Sequence, residues 1–170
     1  YIDNCGECVG GNTGADACVQ DCAGVWGGTH ADSDCGTVTD IDGNEYKTIK
    51  IGDQNWMAEN LKVAQYKDGS EIPNITNNGD WVGLSTGAYG DYDNNPTNSE
   101  TYGRIYNWYT VVDDRGVCPD GWHVPSDEEF KVLEFYLGMS LEDLGDTGWR
   151  GTDAGIQLAG NADLWHNGTL

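Results

Sequence analysis

Alternating apolar and polar positions predict a β-hairpin near residue 40. Residues 37–41 and 46–51 each alternate in hydrophobicity, as strands with one buried face do. The dipeptide Asp42-Gly43 between them is a strong signal for a tight hairpin turn. Residues 54–58, which include Trp56, predict a further short strand directly after the hairpin.

A different periodicity predicts a helix over residues 102–112. Ile105, Trp108, Tyr109 and Val112 follow one another at the i, i+3, i+4 and i+7 spacing of one helix face. All four side chains are apolar, so the predicted helix has one apolar face.

Residues 126–138 predict a second helix with signals at both ends. Ser126 and Glu129 form the S-x-x-E pattern of a capping box directly after Pro125. The expected buried face consists of Phe130, Val132, Leu133, Tyr136 and Leu137. Gly138 is expected to end the helix. Two helices that follow a hairpin, among many short strands and loops, indicate an α+β fold and argue against a parallel sheet.

The composition of the chain changes near residue 36. No Lys or Arg precedes Lys47, and the first 36 residues are rich in Gly, Asp and Asn without apolar periodicity. Such a segment cannot bury a core of its own. The sequence therefore predicts a Cys/Gly/Asp-rich segment at residues 1–36 and a globular domain at residues 37–170. The word Asp3-Asn4-Cys5-Gly6 recurs, with one insertion, as Asp32-Ser33-Asp34-Cys35-Gly36, which indicates a repeat unit.

Two chemistries are open for the N-terminal cysteines. The cysteines form a C-x2-C pair and a C-x3-C pair, with nine residues between the pairs. This spacing is compatible with a tetrahedral zinc site or with two disulfides. The acidic, glycine-rich surroundings and the absence of an initial Met suggest export, so disulfides are the preferred interpretation and zinc is the alternative. Three connectivities among these four cysteines stay open. The four are Cys5, Cys8, Cys18 and Cys22.

Clustered carboxylates and amides predict calcium as the bound ion. Calcium is bound by six to eight oxygen ligands, and adjacent carboxylates without basic neighbours repel each other until a cation neutralises them. The candidate ligands are Asp3, Asp21, Asp32 and Asp34 in the N-terminal segment and Asp91, Asp93 and Asn95 in the later loop. The alternative at both places is a solvated loop, because Asp and Asn also favour turns.

The overall charge excludes several classes of partner. Asp and Glu number 29 against 8 Lys and Arg, which gives a formal net charge of −21. Nucleic acid is excluded as a partner because phosphate binding requires basic residues. No apolar run reaches the length of a membrane-spanning helix, and an anionic bilayer surface would repel the chain. Because the chain opens with Tyr1 and has no basic-then-apolar leader, it is expected to be a processed or excised piece whose signal peptide has been removed, located outside the cell or on its surface.

Several long segments of the sequence resemble the corresponding segments of one known family. They lie at residues 42–52, 56–61, 92–96, 101–109 and 118–128, in the family's order. The chain from about Cys35 to Leu170 thereby resembles the fibrobacter-type major paralogous domain, a module of secreted and surface proteins. The word Trp122-His123-Val124-Pro125-Ser126 is also similar to a stretch of formylglycine-generating-enzyme-like domains.

This resemblance implies a C-type-lectin-like fold and a non-enzymatic surface module. It also implies that Cys118 is disulfide-bonded, although the family's usual partner, on a later C-terminal strand, has no counterpart in this chain. Cys35 is the one cysteine left for such a bridge. The N-terminal words resemble Cys/Gly-rich repeats found beside such modules in surface proteins.

Enzymatic motifs are weak in this sequence. Residues 83–87 fit G-x-S-x-G, but the loop-like residues that follow argue against a nucleophile elbow. The three histidines, His30, His123 and His166, lack a metal-binding spacing. A Cys118–His123 pair is less favoured than a disulfide at Cys118. The sequence therefore predicts no enzymatic activity and no catalytic residue.

The expected function is structural. The sequence predicts a calcium-stabilised module for self-assembly, including filament formation through the N-terminal arm, or for adhesion. The alternative is a lectin-like module that binds carbohydrate, although the sugar-binding words Glu-Pro-Asn and Gln-Pro-Asp are absent. Two N-glycosylation sequons begin at Asn74 and Asn167.

Overall fold

The structure, a computed structural model, describes residues 31–148, 150–151 and 154–158. Its strands are β1 (Cys35–Thr39), β2 (Glu45–Ile51), β3 (Gln54–Met57), β4 (Tyr89–Asp91) and β5 (Arg104–Tyr106). Its α-helices are α1 (Asn78–Val82), α2 (Ser99–Tyr102), α3 (Trp108–Val111), α4 (Asp127–Tyr136) and α5 (Ala154–Leu158). Short strands and helices mixed in this way confirm the predicted α+β class.

Several predicted site residues lie outside the described part of the chain. They are Asp3, Asp21, the first four cysteines and Asn167. The disulfide and zinc alternatives for the N-terminal segment therefore remain predictions.

The predicted hairpin is confirmed. β1, β2 and β3 form a sheet in that order, and β1 and β2 are joined by a tight turn. The backbone N–H of Asp40 donates to the carbonyl of Asn44 at 3.0 Å, and that of Gly43 donates to the carbonyl of Asp40 at 3.1 Å. Gly43 has a φ of 85°, a conformation that glycine adopts without steric cost. β3 covers all but the last residue of the predicted third strand.

The chain divides into two compact units. Of the described residues, unit 1 contains 31–36, 49–56 and those from 126 onward, and unit 2 contains 37–48 and 57–125.

Within unit 1, α4 is the longest helix of the described residues and begins as predicted. The Ser126 hydroxyl accepts from the backbone N–H of Glu129 at 3.3 Å, and the Glu129 carboxylate accepts from the N–H of Ser126 at 2.8 Å. These two bonds form the capping box. The helix ends at Tyr136, and Gly138 follows with a φ of 98°. Both predicted ends are thus confirmed.

The buried face of α4 is narrower than predicted. Leu133 is buried and Leu137 half-buried, whereas Val132 and Tyr136 are exposed. Phe130 is also largely exposed, although its ring lies 5.4 Å from that of Trp56. Val132 and Tyr136 each lie about 100° around the helix axis from the neighbouring Leu133 and Leu137, so they fall beside the buried face.

Within unit 2, the core is a cluster of buried side chains. Its members are Val63, Tyr66, Ile72, Tyr89 and Val117. Burial of such side chains stabilises each by roughly 1.5–3 kcal/mol, before opposing entropy is counted. These residues come from loops as well as strands, so hydrogen bonds must fix the loop backbones. One of them is the bond from the Tyr106 hydroxyl to the carbonyl of Val63, at 2.7 Å.

The predicted helix over residues 102–112 is wrong. α2 ends at Tyr102, β5 occupies Arg104–Tyr106, and α3 begins only at Trp108. β5 pairs antiparallel with β4, with Tyr106 opposite Tyr89 and Arg104 opposite Asp91.

The four residues of the predicted apolar face are exposed. Ile105 is 55% exposed, Trp108 69%, Tyr109 42% and Val112 50%. Arg104 and Tyr106 are half-buried on either side of Ile105, because pairing with β4 imposes the two-residue period of a strand on residues 104–106. Thr110 on α3 is fully buried. We call the exposed set, Ile105, Trp108, Tyr109 and Val112, the apolar stripe.

Candidate functional site

A buried ion pair occupies the start of the predicted calcium loop. The side chain of Asp91 is only 3% exposed. One of its oxygens lies 3.4 Å from Nε of Arg104, and the other accepts from Nδ2 of Asn74 at 3.0 Å. Arg104 also donates to the carbonyl of Lys62 at 2.6 Å, and its guanidinium lies 4.3 Å from the centre of the Tyr89 ring. A cation of the chain itself therefore neutralises Asp91.

The other two predicted loop ligands have different environments. Asp93 and Asn94 both adopt left-handed backbone conformations, with φ values of 58° and 52°. Asp93 is exposed, whereas Oδ1 of Asn95 accepts from the backbone N–H of Thr97 at 3.2 Å. Among the described residues, no group of three or more His, Cys, Asp or Glu could hold a metal ion. Calcium binding by Asp91, Asp93 and Asn95 stays a prediction.

The two described N-terminal candidates lie in a short 3-10 turn, Asp32–Asp34. The carboxylate of Asp34 accepts from the backbone N–H of Ala31 at 3.1 Å. This bond is local to the turn, as expected of an acidic turn residue.

A second buried carboxylate, Asp40, anchors the hairpin turn. It accepts hydrogen bonds from the backbone and side chain of Asn44, each at 2.9 Å, and from the Tyr46 hydroxyl at 2.6 Å. Burial, together with the bond to Asp40, raises the pKa of Tyr46 above its ordinary value. The tyrosine therefore stays a neutral donor, and the network is structural in character.

Cys118 is a free thiol, which corrects the expectation of a disulfide at this residue. Cys35 is disulfide-bonded, so the two cysteines are not bonded to each other. Burial raises the pKa of the Cys118 thiol, and the nearby Lys67 opposes this shift. A protonated thiol is a poor nucleophile.

The pocket beside Cys118 is small. It has a volume of about 200 Å³ and is lined by residues that include Asp40, Lys67 and Asp120. Pockets for small-molecule ligands usually occupy roughly 300–1,000 Å³. Together with the protonated thiol, this volume gives no support for a catalytic site.

The G-x-S-x-G motif lacks the context of a nucleophile elbow. An elbow requires a strand before the serine and a helix after it. Here helix α1 precedes Ser85 and strand β4 follows it, while residues 84–88 belong to neither helix nor strand.

Two surfaces are candidates for interaction. One is the apolar stripe in unit 2, which exposes two aromatic and two aliphatic side chains within eight consecutive residues. The other is β1, which is an edge strand of the sheet formed by the described residues. Thr37 and Thr39 on β1 are exposed, and Val38 is half-buried. Both features suit binding of another molecule, since exposed apolar patches and free strand edges are common at interfaces.

The first sequon lies next to the buried ion pair. Asn74 is exposed, and its side-chain amide is the group that donates to Asp91. Glycosylation at Asn74 and Asn167 stays a prediction.

Comparison with known proteins identifies the family. The model of the Fibrobacter succinogenes major domain matches residues 49–169, and the chain therefore belongs to this family. No curated protein and no solved structure matches the chain. Among the residues that the structure describes, no helix combines the length and hydrophobicity needed to cross a bilayer.

Sequence reasoning missed Arg104 as the partner of Asp91. The signal was present in the sequence, because Arg104 is one of only 8 basic residues against 29 acidic ones. In such a chain, an arginine next to apolar residues has many carboxylates available and is a strong candidate for a buried ion pair. The position of its partner depends on the β4–β5 register, which local patterns do not reveal.

Proposed function

We propose that this chain is a non-enzymatic module of a secreted or cell-surface protein, which assembles with further copies of itself through strand addition at β1. The observation that carries the proposal is the composition of β1. This strand, Cys35–Thr39, contains no charged residue and no proline, although the chain carries 29 carboxylates. Adhesion to another surface would use the same strand edge.

Unprotected edges favour pairing with another strand. Soluble proteins commonly protect such edges with lysine, proline or a bulge. β1 contains neither lysine nor proline. The β-branched side chains of its Thr-Val-Thr sequence favour the extended conformation. Backbone hydrogen bonds along β1, an edge strand among the described residues, would supply affinity, and the alternating side chains would set the register.

Charge explains why the contact would form at an uncharged strand. Two chains with a formal net charge of −21 repel each other over most of their surfaces. A contact built from backbone groups and threonine side chains adds no further carboxylate pair. Calcium between the surrounding acidic surfaces would reduce the remaining repulsion.

The geometry of the contact would decide the type of assembly. If β1 pairs with β1 of a second copy, the interface is isologous and closes as a dimer. If the part of the N-terminal arm (residues 1–36) that precedes β1 occupies the sheet edge of the next copy, the contact is head-to-tail and propagates as a filament. We favour the second arrangement, because the arm has no apolar periodicity of its own and would gain order by docking.

A lysine on the edge strand should weaken assembly. We expect Thr37→Lys to reduce the association constant at least about tenfold, because a lysine on the edge would have to be desolvated in the new strand pair. Sedimentation velocity over a range of protein concentrations, with calcium present, measures this. Thr101→Lys is the matched control, since Thr101 is exposed on α2, outside any strand. Equal association of both variants and the unmodified chain would remove β1 from the proposal.

Calcium dependence is a separate part of the proposal. Chelation is expected to lower the melting temperature by about 5 °C or more, since an ion bound only to the folded state stabilises that state. The measurement is a thermal melt followed by circular dichroism, with calcium and with excess chelator. Because Arg104 already neutralises Asp91, the proposed ion would be held mainly by other carboxylates. An unchanged melting temperature would exclude calcium.

Carbohydrate binding on a C-type-lectin-like fold is the second candidate. Its support is the pair Tyr92 and Tyr102, whose rings meet edge to face at 5.5 Å and are both exposed. Asp93, next to this pair, would supply hydrogen-bond acceptors for sugar hydroxyls. A glycan array with the unmodified chain and with Tyr92→Ala tests this candidate. Capture that requires Tyr92 would support it, and absence of capture would exclude it.

A further inference from the structure

We propose that the apolar stripe is a docking site for a basic polypeptide segment that carries Arg or Lys beside apolar residues. This site lies apart from β1 in the sequence and does not depend on the proposed assembly. The occupant would place its apolar side chains on the stripe and its cations over the aromatic rings or next to neighbouring carboxylates.

Exposure is the first reason. Trp108 is 69% exposed, and the other three members of the stripe are each at least 42% exposed. Val112 directly follows α3, and its backbone N–H donates to the carbonyl of Trp108, the first residue of that helix, at 3.1 Å. Aromatic side chains in this setting are typical of the centre of a protein interface.

Charge selects the partner. The basic residues of unit 2 are Lys47, Lys62, Lys67, Arg104 and Arg115, and its carboxylates outnumber them. Four of these five residues are in ion pairs with carboxylates of the same unit. Little positive charge is therefore left on unit 2, and a complementary partner must supply it.

An unpaired carboxylate lies next to the stripe. Asp114 follows Val112 by two residues, is exposed, and has no ion pair within the described part of the chain. Its neighbour Asp113 is held by Arg115, whose Nε and Nη2 each lie 2.8 Å from one of its oxygens. Asp114 is thus the carboxylate available to a lysine or arginine of the partner.

Contacts between a cation and an aromatic ring, as proposed for the stripe, already occur elsewhere in the structure. The guanidinium of Arg115 lies 3.8 Å from the centre of the Tyr66 ring, and that of Arg104 lies 4.3 Å from the centre of the Tyr89 ring. Tryptophan binds cations more strongly than tyrosine does. Among the described residues, no cation lies over Trp108 or Tyr109.

The polar groups near the stripe argue against a sugar at this site. Oδ1 of Asn107 accepts from the backbone N–H groups of Ala88 and Thr110, and its Nδ2 donates to the carbonyl of Thr86 at 2.8 Å. The Thr110 hydroxyl is fully buried and donates to the carbonyl of Ala88. Because these groups are already bonded, they cannot orient sugar hydroxyls as a carbohydrate site requires.

The test uses the full chain and two synthetic peptides of equal length and charge. One peptide alternates Arg with Leu, and the other alternates Arg with Ser. Isothermal titration calorimetry should show that the Arg/Leu peptide binds the unmodified chain more tightly. We expect Trp108→Ala and Tyr109→Ala each to weaken this binding, and both together to weaken it about tenfold or more.

The control separates the stripe from general charge attraction. Val82 is 87% exposed on α1, so Val82→Ala removes an exposed apolar side chain elsewhere and should leave binding unchanged. Melting temperatures of all variants identify any loss of folding, and Trp108→Phe, which keeps a ring, should retain most of the affinity. Equal binding of the two peptides, or equal effects of Val82→Ala and Trp108→Ala, would overturn the proposal. So would self-association or neutral-glycan binding that requires Trp108.

Discussion

Replacing Arg104 with methionine should destabilise the chain by about 3 to 5 kcal/mol, because the charge of Asp91 would stay buried without its partner. Asp91 has a side chain only 3% exposed, and Arg104 is the cation at 3.4 Å from it. The substitution also removes the bond to the carbonyl of Lys62 and the cation that lies over the Tyr89 ring. Urea unfolding followed by circular dichroism measures the loss.

A double variant tests the electrostatic origin of this loss. Asp91→Asn removes the charge that Arg104→Met leaves unpaired, so the two substitutions together should cost less than the sum of their separate effects. Arg104→Lys is the conservative control, which keeps the charge but not the planar donor group. Strictly additive losses would show that the ion pair does not stabilise the fold.

Gly103→Ala should cost at least about 3 kcal/mol, since two effects combine at this residue. Gly103 has a φ of 69° and a ψ of −164°, a conformation that is almost restricted to glycine. A Cβ at this position would also lie 2.5 Å from Cβ of Asn60 and 2.9 Å from the carbonyl oxygen of Leu61. The midpoint of urea unfolding is expected to fall accordingly.

The matched control is Gly121→Ala. Gly121 also has a positive φ, 80°, but a Cβ there meets no atom within 4 Å. This variant should show only the backbone strain, about 1 kcal/mol. Equal destabilisation by the two substitutions would mean that close packing of residue 103 against Asn60 and Leu61 does not contribute to the cost of Gly103→Ala.

Local sequence signals predicted the elements whose stability is local. The Asp42-Gly43 turn and the capping box of Ser126 and Glu129 depend on residues only a few positions apart. The start and end of α4 and the β1–β2 hairpin could therefore be derived without knowledge of the rest of the fold.

The helix predicted over residues 102–112 failed because a distant strand competes with local periodicity. β4 pairs with residues 104–106, and Gly103 adopts a conformation that ends the preceding helix. The apolar residues at helical spacing are each exposed, but Ile105 lies on β5 whereas Trp108 and Tyr109 lie on α3. At residues 104–106 the pairing with β4 decides which side of the chain is buried, and local periodicity does not reveal that pairing.

The bonding partners of individual side chains also depend on contacts between residues that are distant in the sequence. Asp91 was predicted as a calcium ligand at the start of an acidic loop, and its contact with Arg104, which lies opposite it in the β4–β5 register, was not predicted. In the same way, the Cys118 disulfide was implied by resemblance to a family, whereas the structure holds this residue as a free thiol. Neither partner can be derived from spacing along the chain.

Hydrogen–deuterium exchange of the β1 backbone amides tests the proposed assembly most directly. Exchange at residues 37–39 should slow markedly when the full chain is concentrated in the presence of calcium, because new strand pairing would protect amides on the outer edge of β1. The amides of α4, whose hydrogen bonds lie within the helix, should exchange at the same rate before and after assembly. Oligomers that leave exchange at residues 37–39 unchanged, or a chain that stays monomeric at every concentration, would contradict the account.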